Sequence, residues 1–239
     1  YAMETIGEIA DILGKDSVRE RCMRTAKGAK AAYDALFVKT GALDTDRQAK
    51  LVRPLALGLL EGDAKKDARK RLVQAVEHYN YCVGTGFLST PFLLRALTEA
   101  GEAETAYKML ENTRKPGWLA EVLEGATTIW ENWEGNLSQN HYSPGAVCQW
   151  LFDTAAGIRV EGENRLTKAP LPGGSLKSVC AEYISPFGKV VSRWEKAYEG
   201  IVYTVEIPAN VTAKIILPDG REEEAGAGVH VYGKQESRA

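Results

Sequence analysis

The first part of the chain carries a helical pattern of apolar positions. Ile6, Ile9, Ala10 and Leu13 recur at intervals of three and four residues, and Gly14 is placed to end the helix that they predict. The same periodicity continues in later segments and predicts further helices over 17–36, 46–60, 64–79, 92–97, 103–110 and 146–156. Short paired helices joined by small loops are typical of a helical toroid, in which an inner ring of helices packs inside an outer ring.

Capping signals mark several of these helix starts. Ser17 with Glu20 forms a capping-box pattern at the start of the second helix. Thr90–Pro91 and Ser143–Pro144 each place a capping side chain before a proline, which is favoured at the first helical position. Ser143 is therefore predicted to open the helix over 146–156.

The pattern changes from helical to alternating near Gly162. Apolar and polar residues then alternate over short runs bounded by Gly, Pro, Asn or Asp, which predicts strands over 178–184, 190–194, 201–207, 212–217 and 228–232. We therefore predict a mainly α protein with a β domain. Residues 1–160 are expected to form the helical domain and residues 161–239 a β-sandwich.

Charge and composition exclude several classes of partner. Lys and Arg number 30 against 32 Asp and Glu, so the formal net charge is −2 and gives no bulk attraction for nucleic acid or an anionic membrane. No apolar run reaches the roughly 18 residues that span a bilayer. The four cysteines form no C-x-x-C pair and are expected to be buried, reduced thiols. No secretory signal is recognisable at the N-terminus, and the compartment, cytoplasmic or periplasmic, stays open.

Candidate chemistry concentrates between residues 117 and 142. Three of the five tryptophans lie there, interleaved with the carboxylates Glu121, Glu124, Glu131 and Glu134. An indole face packs on the apolar face of a sugar ring, and a carboxylate accepts hydrogen bonds from its hydroxyls. A carboxyl group near tryptophan is partly desolvated, which suits it to proton transfer, and glycoside hydrolysis uses two such groups.

The residues alone leave structural alternatives open. Trp130 and Trp133 also fit the role of core anchors, and Glu131 the role of a solvated surface charge. His141 is a lone histidine whose more common role is structural, and the other histidines offer no metal-ligand spacing with it. No metal and no cofactor is predicted.

The same residues carry a family resemblance. The run 125–133, Gly-Ala-Thr-Thr-Ile-Trp-Glu-Asn-Trp, and Asn-His-Tyr at 140–142 resemble the C-terminal half of bacterial family 78 α-L-rhamnosidases. Thr-Gly-Phe-Leu-Ser-Thr-Pro at 85–91 resembles another segment of that family. Residues 181–194 and 207–213 resemble its closing β domain, and all the segments occur in the family's order.

The resemblance implies a fold and an activity. The fold would be part of an (α/α)6 toroid followed by a C-terminal antiparallel β-sandwich, and the reaction would be inverting hydrolysis of terminal α-L-rhamnosides. The family's general base corresponds to Glu131, which would activate water. His141 corresponds to a histidine that contacts the sugar, and Trp130 and Trp133 would shape the pocket wall.

The resemblance also implies that part of the enzyme lies outside this chain. The family's general acid belongs to an upstream acidic motif, which residues 1–80 do not contain, and the chain holds too few helices for six pairs. We expect a missing N-terminal half or a second chain on the open toroid flank, and poor hydrolysis by the chain alone. The alternatives are a non-catalytic truncated paralogue or carbohydrate-binding remnant, and a toroid glycosidase with another sugar preference.

Overall fold

A computed structural model describes residues 1–233 and confirms the predicted fold class, with helical hairpins followed by a β domain. The chain forms two compact units. The first contains Tyr1–Thr105 and Arg114–Pro116, and the second contains Ala106–Thr113 and the residues from Gly117 onward. In the described part of the chain, no helix combines the length and apolar character needed to cross a bilayer.

The first unit consists of helical hairpins around an apolar core. Its helices are α1 (Ala2–Ile12), α2 (Asp16–Phe37), α3 (Gln48–Ala56), α4 (Gly62–His78) and α5 (Leu93–Glu99). Two short strands, β1 (Val38–Lys39) and β2 (Ala42–Leu43), and a 3₁₀ turn at Thr90–Phe92 complete it. The fully buried side chains come from α3, α4 and α5 and include Leu51, Val52, Leu72, Val76, Leu93 and Leu97.

The α1–α2 hairpin buries much less of its apolar stripe. Ala10 and Cys22 of the stripe are buried, but Ile9 and Leu13 are exposed, and Ile12, outside the stripe, is 85% exposed. Gly14 adopts a positive φ and ends α1 as predicted. The predicted capping box is wrong, because α2 begins at Asp16 and no side chain caps it.

Gln48 of α3 bonds to residues 82–84 and, through an Nε2 contact of 3.4 Å with the Ala75 carbonyl, to α4. Its Oε1 accepts the Gly84 backbone N–H at 2.8 Å, and its Nε2 donates to the Cys82 carbonyl at 3.1 Å. A Cβ at position 84 would lie 2.9 Å from Gln48 Cδ, so this close approach requires glycine. The buried amide thereby fixes the chain that leads into the 85–91 segment.

The second unit begins with short helices. α6 (Ala103–Leu110) crosses into it from the first unit, and it continues with α7 (Trp118–Leu123), α8 (Tyr142–Gly145), α9 (Val147–Trp150) and a π-helical turn at Leu151–Ala155. The predicted Ser143 cap is wrong. The helix begins at Tyr142, and His141 is its N-cap.

Two four-stranded sheets follow. One contains β5 (Ser178–Ser185), β6 (Gly188–Ala197), β7 (Gly200–Ile207) and β10 (Gly228–Tyr232) in the antiparallel order β10-β7-β6-β5. The other contains β3 (Ile158–Val160), β4 (Arg165–Lys168), β8 (Thr212–Ile216) and β9 (Glu222–Ala225) in the order β3-β4-β8-β9. Only the β4–β8 pair is parallel among the strand pairs of residues 1–233. The five predicted strands are confirmed, whereas β3, β4 and β9 were not predicted.

The core of the sandwich draws side chains from both sheets. Trp194 of β6 is fully buried, and its Nε1 donates to the Ala155 carbonyl at 2.7 Å. Beside it, Ser192 Oγ donates to the Ala156 carbonyl at 2.6 Å. β3 therefore follows a π-helical turn that is hydrogen-bonded to β6 at its end, through Ala155 and Ala156.

One charged residue shares the inner face with this core. Lys168 lies two residues after Leu166 on β4, and the strand pairs of these residues, Ile215 and Ala213, belong to the core. Lys168 has no exposed surface, and its Nζ has no hydrogen-bond partner among residues 1–233. Burial lowers the pKa of this amine to about 7.

The cysteines are divided between interior and surface. Cys22 and Cys82 are buried, as predicted, but Cys148 and Cys180 are exposed. All four are free thiols. The prediction of four buried thiols is therefore wrong for two of them.

Candidate functional site

The tryptophan- and glutamate-rich segment forms a loop between α7 and α8. Gly117, at the N-cap, precedes α7, which turns Trp118 and Glu121 inward, with exposed fractions of 4% and 1%. Trp118 Nε1 donates to the Pro144 carbonyl in α8 at 3.0 Å. This bond joins the helix before the loop to the helix after it.

Backbone hydrogen bonds close the loop at its base. The Glu131 N–H donates to the Ser138 carbonyl at 2.8 Å, and the His141 N–H donates to the Ile129 carbonyl at 2.9 Å. Residues 129–131 and 138–141 are thereby held side by side. The structure thus brings the predicted base Glu131 and the predicted sugar contact His141 to the same end of one loop.

The two carboxylate oxygens of Glu131 differ in their hydrogen bonding. Its side chain is half-buried, and Oε2 accepts the Ser138 backbone N–H at 3.3 Å. Within residues 1–233, Oε1 accepts no hydrogen bond. A carboxylate that is held through one oxygen, and whose other oxygen accepts no hydrogen bond in residues 1–233, is suited to accept a proton from water.

The two predicted wall residues pack against their own neighbourhood. The Trp133 ring meets the Trp118 ring edge-on, with centroids 5.9 Å apart. The Trp130 ring covers Gly135, which has a φ of +68° and where a Cβ would lie 2.6 Å from the ring. Both indoles are half-buried, and neither indole N–H donates a hydrogen bond within the described residues.

His141 is oriented by the helix that it caps. Its Nδ1 accepts the Ser143 backbone N–H at 3.2 Å, and its ring stacks on Tyr142 with centroids 5.1 Å apart. Because Nδ1 is an acceptor, the neutral ring carries its proton on Nε2. The cap thereby fixes both the ring orientation and the tautomer.

The carboxylates of the segment have different environments. Glu121 is buried, Glu131 is half-buried, and Glu124 and Glu134 are exposed. Glu121 does not stand out from the other carboxylates in the sequence, although its position three residues after Trp118 places it on the same helical face. No group of three or more potential metal-ligating side chains occurs in the region that the structure describes.

Comparisons with known proteins cover nearly the whole chain. A family model described as the bacterial alpha-L-rhamnosidase 6 hairpin glycosidase domain matches residues 1–155. A second, described as the bacterial alpha-L-rhamnosidase C-terminal domain, matches residues 162–231.

Two curated relatives are both named alpha-L-rhamnosidase. The protein from Formosa agariphila is 31% identical over 238 residues, which cover 93% of this chain and 26% of that protein. The protein from Streptomyces avermitilis is 32% identical over 231 residues, which cover 91% of this chain and 22% of that protein. The chain therefore spans about a quarter of the length of these relatives.

Solved structures of alpha-L-rhamnosidases are also similar. The native Aspergillus terreus enzyme matches with a TM-score of 0.90 at 28% identity, over 96% of this chain and 29% of that one. The Streptomyces avermitilis enzyme complexed with L-rhamnose matches with a TM-score of 0.85 at 30% identity, over 94% of this chain and 25% of that one. With helical and C-terminal family models matched in sequence, the chain belongs to the bacterial alpha-L-rhamnosidase family.

Proposed function

We propose that this chain is the C-terminal portion of a glycoside hydrolase that cleaves terminal α-L-rhamnosides with inversion. Glu131 is the general base in this proposal. The observation that carries it is the asymmetry of the Glu131 carboxylate, with Oε2 on the Ser138 N–H and Oε1 without a hydrogen bond in residues 1–233. Family membership supports the glycoside hydrolase chemistry.

In the proposed reaction, Glu131 Oε1 takes a proton from a water molecule. The oxygen of that water attacks the anomeric carbon on the face opposite the leaving group, which inverts its configuration. A general acid on the other side of the sugar protonates the departing oxygen. In inverting enzymes the carboxyl groups of the acid and the base are about 6.5–9.5 Å apart. We assign the acid to the upstream part of the polypeptide, because residues 1–80 lack the family's acidic motif.

The sugar would be held by side chains of the same loop. The Nε2–H of His141 is a hydrogen-bond donor in the tautomer fixed by Ser143. Trp130 and Trp133 would line the pocket wall, where an indole face and an indole N–H serve the apolar and hydroxyl parts of a sugar. The Streptomyces avermitilis relative was solved with L-rhamnose, which agrees with a rhamnose-containing glycoside as the substrate.

The partner in this proposal is the rest of the toroid. Exposed apolar side chains on the α1–α2 hairpin, such as Ile9 and Ile12, present a surface that an N-terminal half or a second chain would cover. The relatives, about four times longer than the matched region, have polypeptide to supply such a cover.

The test of the base is Glu131→Gln in the longer polypeptide, assayed on an aryl α-L-rhamnoside. We expect kcat to fall about 100- to 10,000-fold with little change in KM, because the amide cannot accept the proton. Glu134→Gln, an exposed carboxylate of the same loop, is the matched control and should retain activity. Proton NMR of the first-formed sugar should show β-L-rhamnose, and retention of the α configuration would contradict inversion.

His141→Asn separates the two functions assigned to that residue. Asparagine keeps an N-cap acceptor but lacks the Nε2–H donor. We expect unchanged thermal stability and a KM raised about tenfold, the loss of about one substrate hydrogen bond. A wild-type KM would remove His141 from the proposed sugar site.

The isolated 239-residue chain provides a further test. Without the general acid it should hydrolyse aryl rhamnosides about 100- to 10,000-fold more slowly than the longer polypeptide. Equal turnover by both would place the whole catalytic apparatus within this chain. A longer polypeptide that binds rhamnose but does not cleave the substrate would favour the carbohydrate-binding alternative.

A further inference from the structure

Glu121 is a buried carboxylate that the proposed mechanism does not use. It lies on α7, is 1% exposed, and shares a helical face with Trp118. Its Oε2 accepts the backbone N–H of Trp130 in a long contact of 3.4 Å. Since Trp130 directly precedes Glu131, this contact touches the backbone that carries the proposed base.

The peptide group between Ile129 and Trp130 is held from both sides. Its carbonyl accepts the His141 N–H at 2.9 Å, and its N–H donates to Glu121. Because a peptide group is planar, bonds at its two poles restrain the orientation of the whole plane. Glu121 and His141 together therefore restrain the direction in which the chain enters Glu131.

The following residue is restrained by the other side of the loop. The Glu131 N–H and the Glu131 carboxylate both bond to the backbone of Ser138. Two consecutive amides are thus fixed, the first by a side chain and the second by the backbone. Loss of Glu121 would leave the Trp130 N–H without this acceptor and free the plane to rotate.

The environment of Glu121 agrees with such a role. A carboxyl group as buried as this one has lost its hydration, and the contact with the Trp130 N–H offsets part of that cost. Glu124, three residues later on the same segment, is exposed. The two carboxylates therefore form a natural pair of test and control.

We propose that Glu121 is a positioning residue that holds the Ile129–Trp130 peptide plane and thereby aims the carboxylate of Glu131. The inference rests on the proposed function, in which Glu131 is the general base. Glu121 acts through the backbone and does not touch the substrate.

The kinetic test uses Glu121→Ala, Glu121→Gln and the control Glu124→Ala in the longer polypeptide. We expect Glu121→Ala to lower kcat about 10- to 100-fold, because a misplaced base is costly, with KM changed less than about threefold. Glu121→Gln keeps an oxygen acceptor and should restore kcat to within about threefold of the wild type. A wild-type kcat for the alanine variant, or an equal loss in the glutamine variant, would overturn the proposal.

Hydrogen exchange provides a measurement that does not depend on catalysis. In Glu121→Ala the Trp130 amide should exchange at least about tenfold faster, while amides of β7 keep their protection. In Glu121→Gln its protection should be retained. Unchanged exchange at Trp130 in the alanine variant would overturn the positioning role. If instead Glu131→Gln remains fully active while Trp130 exchange responds as expected, the proposed base fails and the backbone contact stands.

Removal of a buried carboxylate can also unfold a protein. Should Glu121→Ala lack a cooperative thermal transition, Glu121→Asp replaces it, since aspartate keeps the carboxyl group but is one methylene shorter. We expect it to lower kcat about three- to tenfold and to speed Trp130 exchange. A folded aspartate variant with wild-type values for both would overturn the proposal.

Discussion

The β-sandwich and the α1–α2 hairpin differ in how much of their apolar surface they bury. In the sandwich, side chains from both sheets form a core around Trp194, which has no exposed surface. In the hairpin, α1 buries only Gly7 and Ala10, and α2 buries only Cys22. Both segments have a regular apolar pattern in the sequence, but of the two only the sandwich buries most of these apolar side chains within the described residues.

An apolar stripe therefore predicts that a helix or strand forms, but it does not predict which surface covers its apolar face. In the sandwich each sheet covers the apolar face of the other, so the alternating pattern in the sequence agrees with the observed burial. The α1 stripe predicts its helix correctly, although Ile9 and Leu13 remain 51% and 63% exposed. We therefore expect the stability of the chain to depend on the sandwich core and to be insensitive to the hairpin face.

The largest effect is expected for Trp194→Ala. It removes the largest fully buried side chain and leaves the Ala155 carbonyl without its indole donor. We expect the free energy of unfolding to fall by about 3–5 kcal/mol. Chemical denaturation followed by circular dichroism measures it, and a loss under about 1 kcal/mol would mean that the sandwich contributes little.

Lys168→Met is expected to stabilise the sandwich. Burial lowers the pKa of the amine from 10.5 to about 7, so the folded state penalises the charged form. At about 1.4 kcal/mol per pKa unit, this lowering corresponds to about 4 kcal/mol at pH 7, and Lys168→Met should raise the free energy of unfolding by about that amount. Lys214→Met, on an exposed position of the same sheet, is the control and should change stability by less than about 0.5 kcal/mol.

The sign of the pH dependence follows from the same shift. Between pH 7 and pH 10.5 the unfolded chain holds a proton on Lys168 that the folded chain does not, so wild-type stability rises with pH in this window. Below pH 7 both states are protonated and the penalty is complete. The advantage of Lys168→Met should therefore shrink as the pH rises from 7 towards 10.5. A constant advantage across this window would contradict the lowered pKa.

The smallest effect is expected on the hairpin. Ile12→Ser should change the stability of the 239-residue chain by less than about 0.5 kcal/mol, because the side chain is already exposed. The same substitution at the buried Ile215 should cost about 2–5 kcal/mol. In the longer polypeptide, a cost above about 1 kcal/mol for Ile12→Ser would identify α1 as part of a covered face.

The sequence predicts the strands well where one face alternates cleanly. β10 is predicted with the observed limits and β7 to within one residue, because turn residues bound both. β4 has no such pattern, since Leu166, Thr167 and Lys168 are all buried and the last is charged. A buried lysine contradicts the rule that places charge outside, so the pattern of residues does not predict a strand there.

The site shows a similar division. The loop residues Glu131 and His141 were recognised from their motif, and the structure brings them to the same end of the loop through bonds to Ser138 and Ile129. That His141 rather than Ser143 caps α8 depends on the backbone conformation of the loop, which no local preference reveals. The burial of Glu121 was not predicted for a different reason, since burial of a carboxyl group depends on contacts nine residues away in the chain.

The bonds from β6 to the end of the π-helical turn have a practical consequence for dividing this protein. Ser192 and Trp194 reach back to Ala156 and Ala155, across the gap between the two matched family regions. If residues 162–231 were expressed by themselves, the Ser192 hydroxyl and the Trp194 indole N–H would lose their hydrogen-bond acceptors. The Trp194 ring would also become more exposed. A shorter polypeptide made to study the β domain should therefore include the π-helical turn at Leu151–Ala155 and the following Ala156.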